Sequence, residues 1–339
     1  MERNQNQNQN TPTPERIMQY FTGHWATSVV CAAIEHKVFC AIEGGAYTCA
    51  EIAQKTGLAV RGTQALIDGL TGLGLLSVKS GKYENMPETS LYLVAGKPTY
   101  IGNMVEGAVG SFADWTKYSA AVKTGQPTRE FNAETDANNP FWANLATTIA
   151  PLSLPVAEAA SQRLGIAKAG ACSWLDVGGG AGVYSAVWLG ANPSARATQL
   201  DWANVNEVAK GFVGGKGSGD RFPTLDGDMT TTDWGTAKYD YIIYSHIAHA
   251  FSPETNIANF KKARQALKAG GTLVISDFVV DNDRACSPFA LLFASYMLIQ
   301  TTGGATHREA DFHTWLGQAG FREVNVERTP GPASLIYAR

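Results

Sequence analysis

The chain has 339 residues, 45% of them hydrophobic and 17% charged, enough to bury more than one core, so two domains are the natural expectation. Lys and Arg total 27 against 30 Asp and Glu, a net charge of -3 that raises no field able to gather nucleic-acid phosphates or anionic lipid, and neither is expected as a partner. Five cysteines, Cys31, Cys40, Cys49, Cys172 and Cys286, are odd in number, scattered and without a CxxC pair, which argues against a disulfide framework or a zinc knuckle.

Residues 1–13 are polar and repetitive and lack the basic and apolar regions of a secretory signal, so they read as a disordered tail on a cytoplasmic protein. No apolar run reaches the ~18 residues of a membrane helix. From 14 to 97 the periodicity predicts helices at Ile17 to Thr22, Ala26 to Ile42, after Thr48 as N-cap, and from Arg61 to Leu73, then two short strands around a Ser80-Gly81 turn, a winged-helix pattern. A DNA-reading second helix needs a basic or amide outer face. This one offers Arg61, Gln64 and the acidic Asp68, so the region reads as a dimerisation domain that makes a homodimer.

Residues 98–165 are helical and rich in aromatics, Tyr100, Phe112, Trp115, Tyr118, Phe141 and Trp142 among them, around a polar interruption from Thr124 to Pro140. They read as a connector that walls a small-molecule pocket, most of the rings being packing residues. From 166 to 339 strands and helices alternate: CSWLDVGGG, a helix from Val183, ARATQLDW, a helix from Val205, FPTLDGD, YDYIIYSH, a helix from Thr255 to Lys268, GTLVISDFVV, a helix from Glu309 to Ala319, and strands near Val324 and Leu335. The fold class is α/β, a doubly wound Rossmann-like sheet whose ligand sits at the carboxyl ends of the strands.

The run Leu175-Asp176-Val177-Gly178-Gly179-Gly180-Ala181-Gly182-Val183-Tyr184 leads a strand through glycines into a helix. Gly178 and Gly180 fit the first two positions of a dinucleotide fingerprint, but Val183 stands where the third glycine belongs. An acid at Asp176 suits the ammonium of a methionine moiety and would harm a pyrophosphate, which favours S-adenosylmethionine (SAM) over NAD. Asp201 ends the next strand, where an acid accepts from ribose hydroxyls, and Asp228-Met229 ends the third, where an acid meets the adenine amine and an apolar chain covers the ring. Trp202 and Ser245 complete the expected cofactor set.

On LDVGGGAGVY, LDW, GDM and SHIAHAF, in that order, the chain resembles the two-domain small-molecule O-methyltransferases, which include caffeic acid and acetylserotonin O-methyltransferases and bacterial natural-product enzymes. The resemblance runs from about Pro14 to Arg339. It implies a SAM-dependent methyltransferase of the class I fold, a homodimer through the winged helix, and a general-base histidine, which falls on His249. An imidazole titrates near neutrality and can take the proton of a hydroxyl as the methyl arrives.

Ala250-Phe251 replaces the family's Asp-Trp after that histidine, and Thr306 stands where related enzymes carry an orienting glutamate. Asp277 remains to fix the imidazole tautomer. Because a thioether needs no base, these departures favour S-methylation. The specific expectation is 4-methylthio-2-hydroxybutyrate, the acceptor of a bacterial branch that makes dimethylsulfoniopropionate and is similar in the YSHIAH segment and the terminal PGPASLIYAR. Trp142, His246, His249 and Tyr296 would then wrap the acceptor, with Arg129 or Arg308 at its carboxylate. O-methylation with His249 as base is the alternative, and a SAM-binding relative that does not methylate is a third. A metal at His246 and His249 is not expected, since the pair shares no helical face and Asp277 or His307 could add a third ligand only through folding.

Overall fold

The structure, a computed structural model, describes residues 12–128, 137, 139–285 and 287–339. Arg129 and the tail through residue 11 lie outside the described residues. The chain divides into two compact units, Met1–Ser111 and Phe112–Arg339, each described by itself.

The first unit opens with α1 (Glu15–Phe21), α2 (Gly23–Glu35) and α3 (Val38–Glu43). The single helix expected from Ala26 to Ile42 is broken at Lys37, which lies in the left-handed region with φ 56°. The break re-aims the chain so that Val38, Phe39, Ala41 and Ile42 all enter the core. α4 (Cys49–Thr56) begins at Thr48 as expected, with a capping box in which the Thr48 hydroxyl accepts from Glu51 N–H and the Glu51 carboxylate accepts from Thr48 N–H. After α5 (Val60–Gly72), β1 (Leu76–Lys79) and β2 (Lys82–Asn85) form the antiparallel wing, followed by α6 (Pro87–Tyr92). Ala33, Phe39, Ile42, Ile52, Ile67, Leu70, Leu76 and Tyr83 make its core. The outer rows of α1 and α2 leave Ile17, Met18, Tyr20, Phe21 and Trp25 exposed, a contiguous apolar stretch of the kind that marks a protein contact.

α7 (Met104–Thr116), α8 (Tyr118–Thr124) and α9 (Pro140–Leu164) lead to the sheet of the second unit. Its elements in order are β3 (Ser173–Val177), α10 (Val183–Ala191), β4 (Arg196–Asp201), α11 (Ala203–Gly215), β5 (Thr224–Asp226), β6 (Tyr239–Ser245), α12 (Pro253–Ala266), β7 (Leu267–Asp277), α13 (Pro288–Gln300), α14 (Glu309–Gln318), β8 (Val324–Arg328) and β9 (Ser334–Ala338). The strands stand in the order β5-β4-β3-β6-β7-β9-β8. All neighbours are parallel through β7, and β9 is antiparallel to both β7 and β8.

Period-two alternation sorts the strands between two cores. Trp174, Ala197, Ile243, Val274 and Leu335 face a cluster that includes Ala157 and Ala160 of α9, Trp188 of α10 and Ala209 of α11. Leu175, Leu200, Ile242, Leu273, Ile275 and Ile336 face Phe260 of α12 and Phe312 and Leu316 of α14. Buried on both faces, these strands read as continuous apolar runs. The strand order reverses between β3 and β6, and in such a sheet the crevice at that switch point is where a ligand sits.

Candidate active site

The crevice floor is the glycine turn after β3. Gly178, Gly180 and Gly182 have φ of 61°, 58° and 72°, conformations that side chains resist. A Cβ on Gly178 would lie 2.5 Å from Ile247 Cδ1 and 2.9 Å from Met229 Cε, whereas one on Gly180 would meet nothing nearer than Ala146 at 3.7 Å. Gly180 is therefore the open face of the turn. Gly182, not the position of Val183, supplies the close packing of the helix start, since a Cβ there would lie 2.9 Å from Val213 Cγ2.

Asp176, expected at the ammonium of the methionine moiety, lies buried under the glycine turn. It is 1% exposed, lies beneath Gly179, whose Cβ would come within 2.8 Å of its Cγ, and accepts from the Ser185 hydroxyl at 2.7 Å. Burial pushes its carboxyl up to about 6, the Ser185 bonds only partly offsetting this. Its Oδ2 is held toward α10 by Ser185, while its Oδ1 is buried with no hydrogen-bond partner among the described residues.

Asp201, at the end of β4, accepts from Gly180 N–H at 2.9 Å and from Trp202 N–H at 2.7 Å, one bond per oxygen, leaving a lone pair on each. Burial pushes it up to about 7 in spite of those bonds. Asp228 caps its own turn through Thr230 N–H and Oγ1, both at 2.7 Å. The following carbonyls are gathered by one cation: Lys262 Nζ of α12 donates to Met229 O at 3.0 Å, Thr230 O at 2.6 Å and Thr232 O at 3.1 Å, and Trp234 Nε1 donates to Met229 O at 3.1 Å.

Beyond β6 the chain turns through His246, held at φ 55° with its N–H donating to Ser276 O at 2.7 Å. His249 follows in a short 3-10 turn, Ala248–Ala250. Its Nδ1 is 2.7 Å from Asp277 Oδ1, and its backbone N–H donates to Asp277 Oδ2 at 3.1 Å. Asp277, 2% exposed at the end of β7, also accepts from Phe278 N–H at 2.7 Å. Burial alone would raise its pKa, but His249 beside it, with help from His246 and the Phe278 amide, holds it down at about 2. An ionised Asp277 makes Nδ1 the protonated nitrogen and leaves the lone pair on Nε2. Burial pushes His246 down to about 4, so near neutral pH its imidazole is uncharged.

Aromatic rings extend the site outward. Phe293 meets His249 edge-on at 5.0 Å, Phe278 stacks on it at 5.7 Å, and Tyr296 follows Phe293 at 5.5 Å and stacks with Trp115 at 6.4 Å.

Residues 18–95 match the O-methyltransferase dimerisation domain and residues 166–322 the O-methyltransferase domain. The 3-hydroxy-5-methyl-1-naphthoate 3-O-methyltransferase of Streptomyces sahachiroi is 30% identical, over 95% of this chain and 93% of its own. The chain belongs to the SAM-dependent O-methyltransferase family. A solved Nostoc punctiforme protein provisionally assigned as an O-methyltransferase superposes with a TM-score of 0.90 at 25% identity, covering 97% of this chain and 99% of that one. Human N-acetylserotonin methyltransferase, solved in complex with SAM, shares the fold with a TM-score of 0.81 at 22% identity, covering 98% and 99% of the two chains.

In this O-methyltransferase the expected residues separate into three groups. Gly178, Gly180, Asp201, Trp202, Asp228, Met229 and Ser245 all lie at the carboxyl ends of β3 to β6 or in the turns that leave them. His246, His249 and Asp277 come together, and Phe293 links Tyr296 to them. Trp142 packs instead on the cluster of α9, α10 and α11, its Nε1 buried without a partner. Arg308 is engaged by Asp311 through Nε at 3.1 Å and Nη2 at 2.7 Å, and Arg129 lies outside the described residues. His307 Nε2 lies 3.2 Å from the carbonyl oxygen of Ala248, the residue before His249. Sequence reading missed Phe278, Phe293 and Lys262. The i, i+4, i+7 spacing of Phe289, Phe293 and Tyr296 carried the signal for one aromatic helix face, but nothing local marks Lys262.

Proposed function

We propose that the protein transfers the methyl group of SAM to a hydroxyl oxygen on an aromatic small molecule, with His249 as general base and Asp277 as the carboxylate that orients it. The observation that carries this reading is the 2.7 Å contact between His249 Nδ1 and Asp277 Oδ1. A base with its tautomer fixed serves an acceptor that must lose a proton, and a thioether has none to lose. S-methylation of 4-methylthio-2-hydroxybutyrate also finds no support among the relatives described above, of which the Streptomyces and Nostoc proteins are named for O-methylation.

The glycine turn fits SAM at Gly180, where the backbone is open. Asp201 has an unused lone pair on each oxygen for the ribose hydroxyls, Asp228 takes the adenine amine and Met229 covers the ring. When bound, SAM supplies a methyl group on a cationic sulfur, so the transfer depends on positioning more than on activation of the donor. As the hydroxyl oxygen bonds to the methyl carbon, the carbon–sulfur bond breaks, its electron pair stays on sulfur, and the proton passes to His249 Nε2. Phe278, Phe293 and Tyr296 hold an aromatic acceptor against that nitrogen and keep water away. Residues 14–97 serve dimerisation in this reading, through the apolar row on α1 and α2, and residues 166–339 serve catalysis.

The test is incubation of the purified protein with methyl-labelled SAM and a panel of naphthols, hydroxylated aromatic acids and 4-methylthio-2-hydroxybutyrate, with mass spectrometry of the products. Label on a phenolic oxygen that is lost in His249→Ala is the expected result. Label in a sulfonium product, or transfer undiminished in His249→Ala, overturns it.

A further inference from the structure

His246 has no task in the mechanism above, yet the fold sets it beside the base at a cost. Residues with a Cβ resist the left-handed region, yet His246 sits there at φ 55°. Its imidazole lies 6.3 Å from that of His249, centroid to centroid. Among the hydrogen bonds of the described residues its backbone N–H is used and its ring is not. One ring nitrogen from each histidine and one oxygen of Asp277 lie within 4.8 Å of one another.

We infer that His246, His249 and Asp277 form a binding site for a divalent first-row transition cation. Two imidazoles and one carboxylate are the donor set such ions prefer over magnesium or calcium, which favour oxygen alone. Bonds of about 2.1 Å to a common centre need donors roughly 3 to 3.5 Å apart, so the set, now within 4.8 Å, has to draw in by an ångström or so when a cation binds. The Phe278 and Phe293 rings pack beside the site and shield it on those sides. Asp277 is already oriented by the N–H groups of His249 and Phe278, the outer support that a ligating carboxylate requires.

Occupancy excludes the base. A neutral imidazole has one lone pair, so whichever nitrogen of His249 binds the cation, none is left to take a proton. The cation is thus an inhibitor of methyl transfer, and the inference stands or falls separately from His249 as base.

The experiment uses the full chain, stripped with a chelator and titrated with cobalt(II) chloride by calorimetry and visible absorption, in wild type, His246→Ala and His246→Phe. Circular dichroism and SAM binding serve as folding checks. One cobalt per chain with an imidazole-type absorption band, weakened at least ~10-fold in both variants, is expected. Absence of stoichiometric binding, or equal binding in wild type and both variants, overturns the site. Methyl transfer by the stripped enzyme that cobalt suppresses in wild type, but not in the variants relative to their own metal-free rates, supports it. If the stripped enzyme is inactive and cobalt restores it, the site stands and the base assignment falls. Cobalt bound here and weakened in both variants, yet without effect on transfer, leaves the site and removes His249 as base.

Discussion

In the proposed mechanism His249 acts in transfer and Asp277 acts through it, and their substitutions separate on that basis. His249→Ala is expected to lower kcat by about 10²- to 10⁴-fold, with SAM affinity unchanged by calorimetry. Asp277→Asn keeps the shape but frees the imidazole tautomer, so kcat falls and its pH profile moves, while an unaltered profile would reduce Asp277 to packing. Gly178→Ala forces a Cβ to 2.5 Å from Ile247 at a φ suited to glycine, and SAM affinity and melting temperature should fall together. These residues were legible because their chemistry is local: glycines before a helix, acids at strand ends, a histidine after a strand. What the string could not show of Asp176 is its burial under the turn, since only the pleat of β3 turns its Oδ2 toward Ser185 and α10. Lys262 was illegible because its three acceptors are backbone carbonyls 30 to 33 residues upstream, at positions where a carbonyl leaves no mark in sequence.

At the scale of elements, α13 was absent from the sequence reading. PFALLFASYMLIQ is apolar on nearly every side, so the polar–apolar contrast that announces a surface helix is missing and the spacing of Phe289, Phe293 and Tyr296 is the one periodic mark of the face that carries the proposed acceptor wall. Phe293→Ala should raise KM for an aromatic acceptor by roughly 10-fold, the loss of one ring contact and its buried area, with KM for SAM unmoved. A change confined to kcat would instead mark Phe293 as a residue that positions His249. The connection from β5 to β6 makes the complementary point. It has no helix of its own, and Lys262 holds its carbonyls together, so Lys262→Met should weaken SAM binding several-fold while kcat at saturation holds, with partial recovery in Lys262→Arg. The paired strands of the wing and the alternation in the second unit were legible, since turn residues and apolar runs fix them without reference to partners.

For the whole molecule, Asp201 and Asp176 tie cofactor, proton and stability together. Both have folded pKa values raised above the 3.8 of a free aspartate, to about 7 and about 6. The folded state therefore binds protons more tightly, and their contribution is fully present below about pH 4 and lost as pH rises through 6 to 7. Ribose hydroxyls donating to Asp201 favour its ionised form, so the upward shift in melting temperature given by SAM should be larger at pH 8 than at pH 6, and that difference should flatten in Asp201→Asn. Equal shifts at both pH values in the wild type would remove Asp201 from the ribose. Dimerisation through α1 and α2 predicts that Phe21→Asp with Trp25→Asp halves the mass seen by light scattering. The sheet order adds a constraint on assembly in time. β8 precedes β9 in the chain but joins the sheet only through it, so this edge grows in the reverse of chain order. The open side of β7 must wait, unpaired, for a segment some 60 residues downstream, a long loop closure of the kind that slows folding. In pulse-labelled refolding, β3, β4 and β6 should gain amide protection first, and β8 should never precede β9.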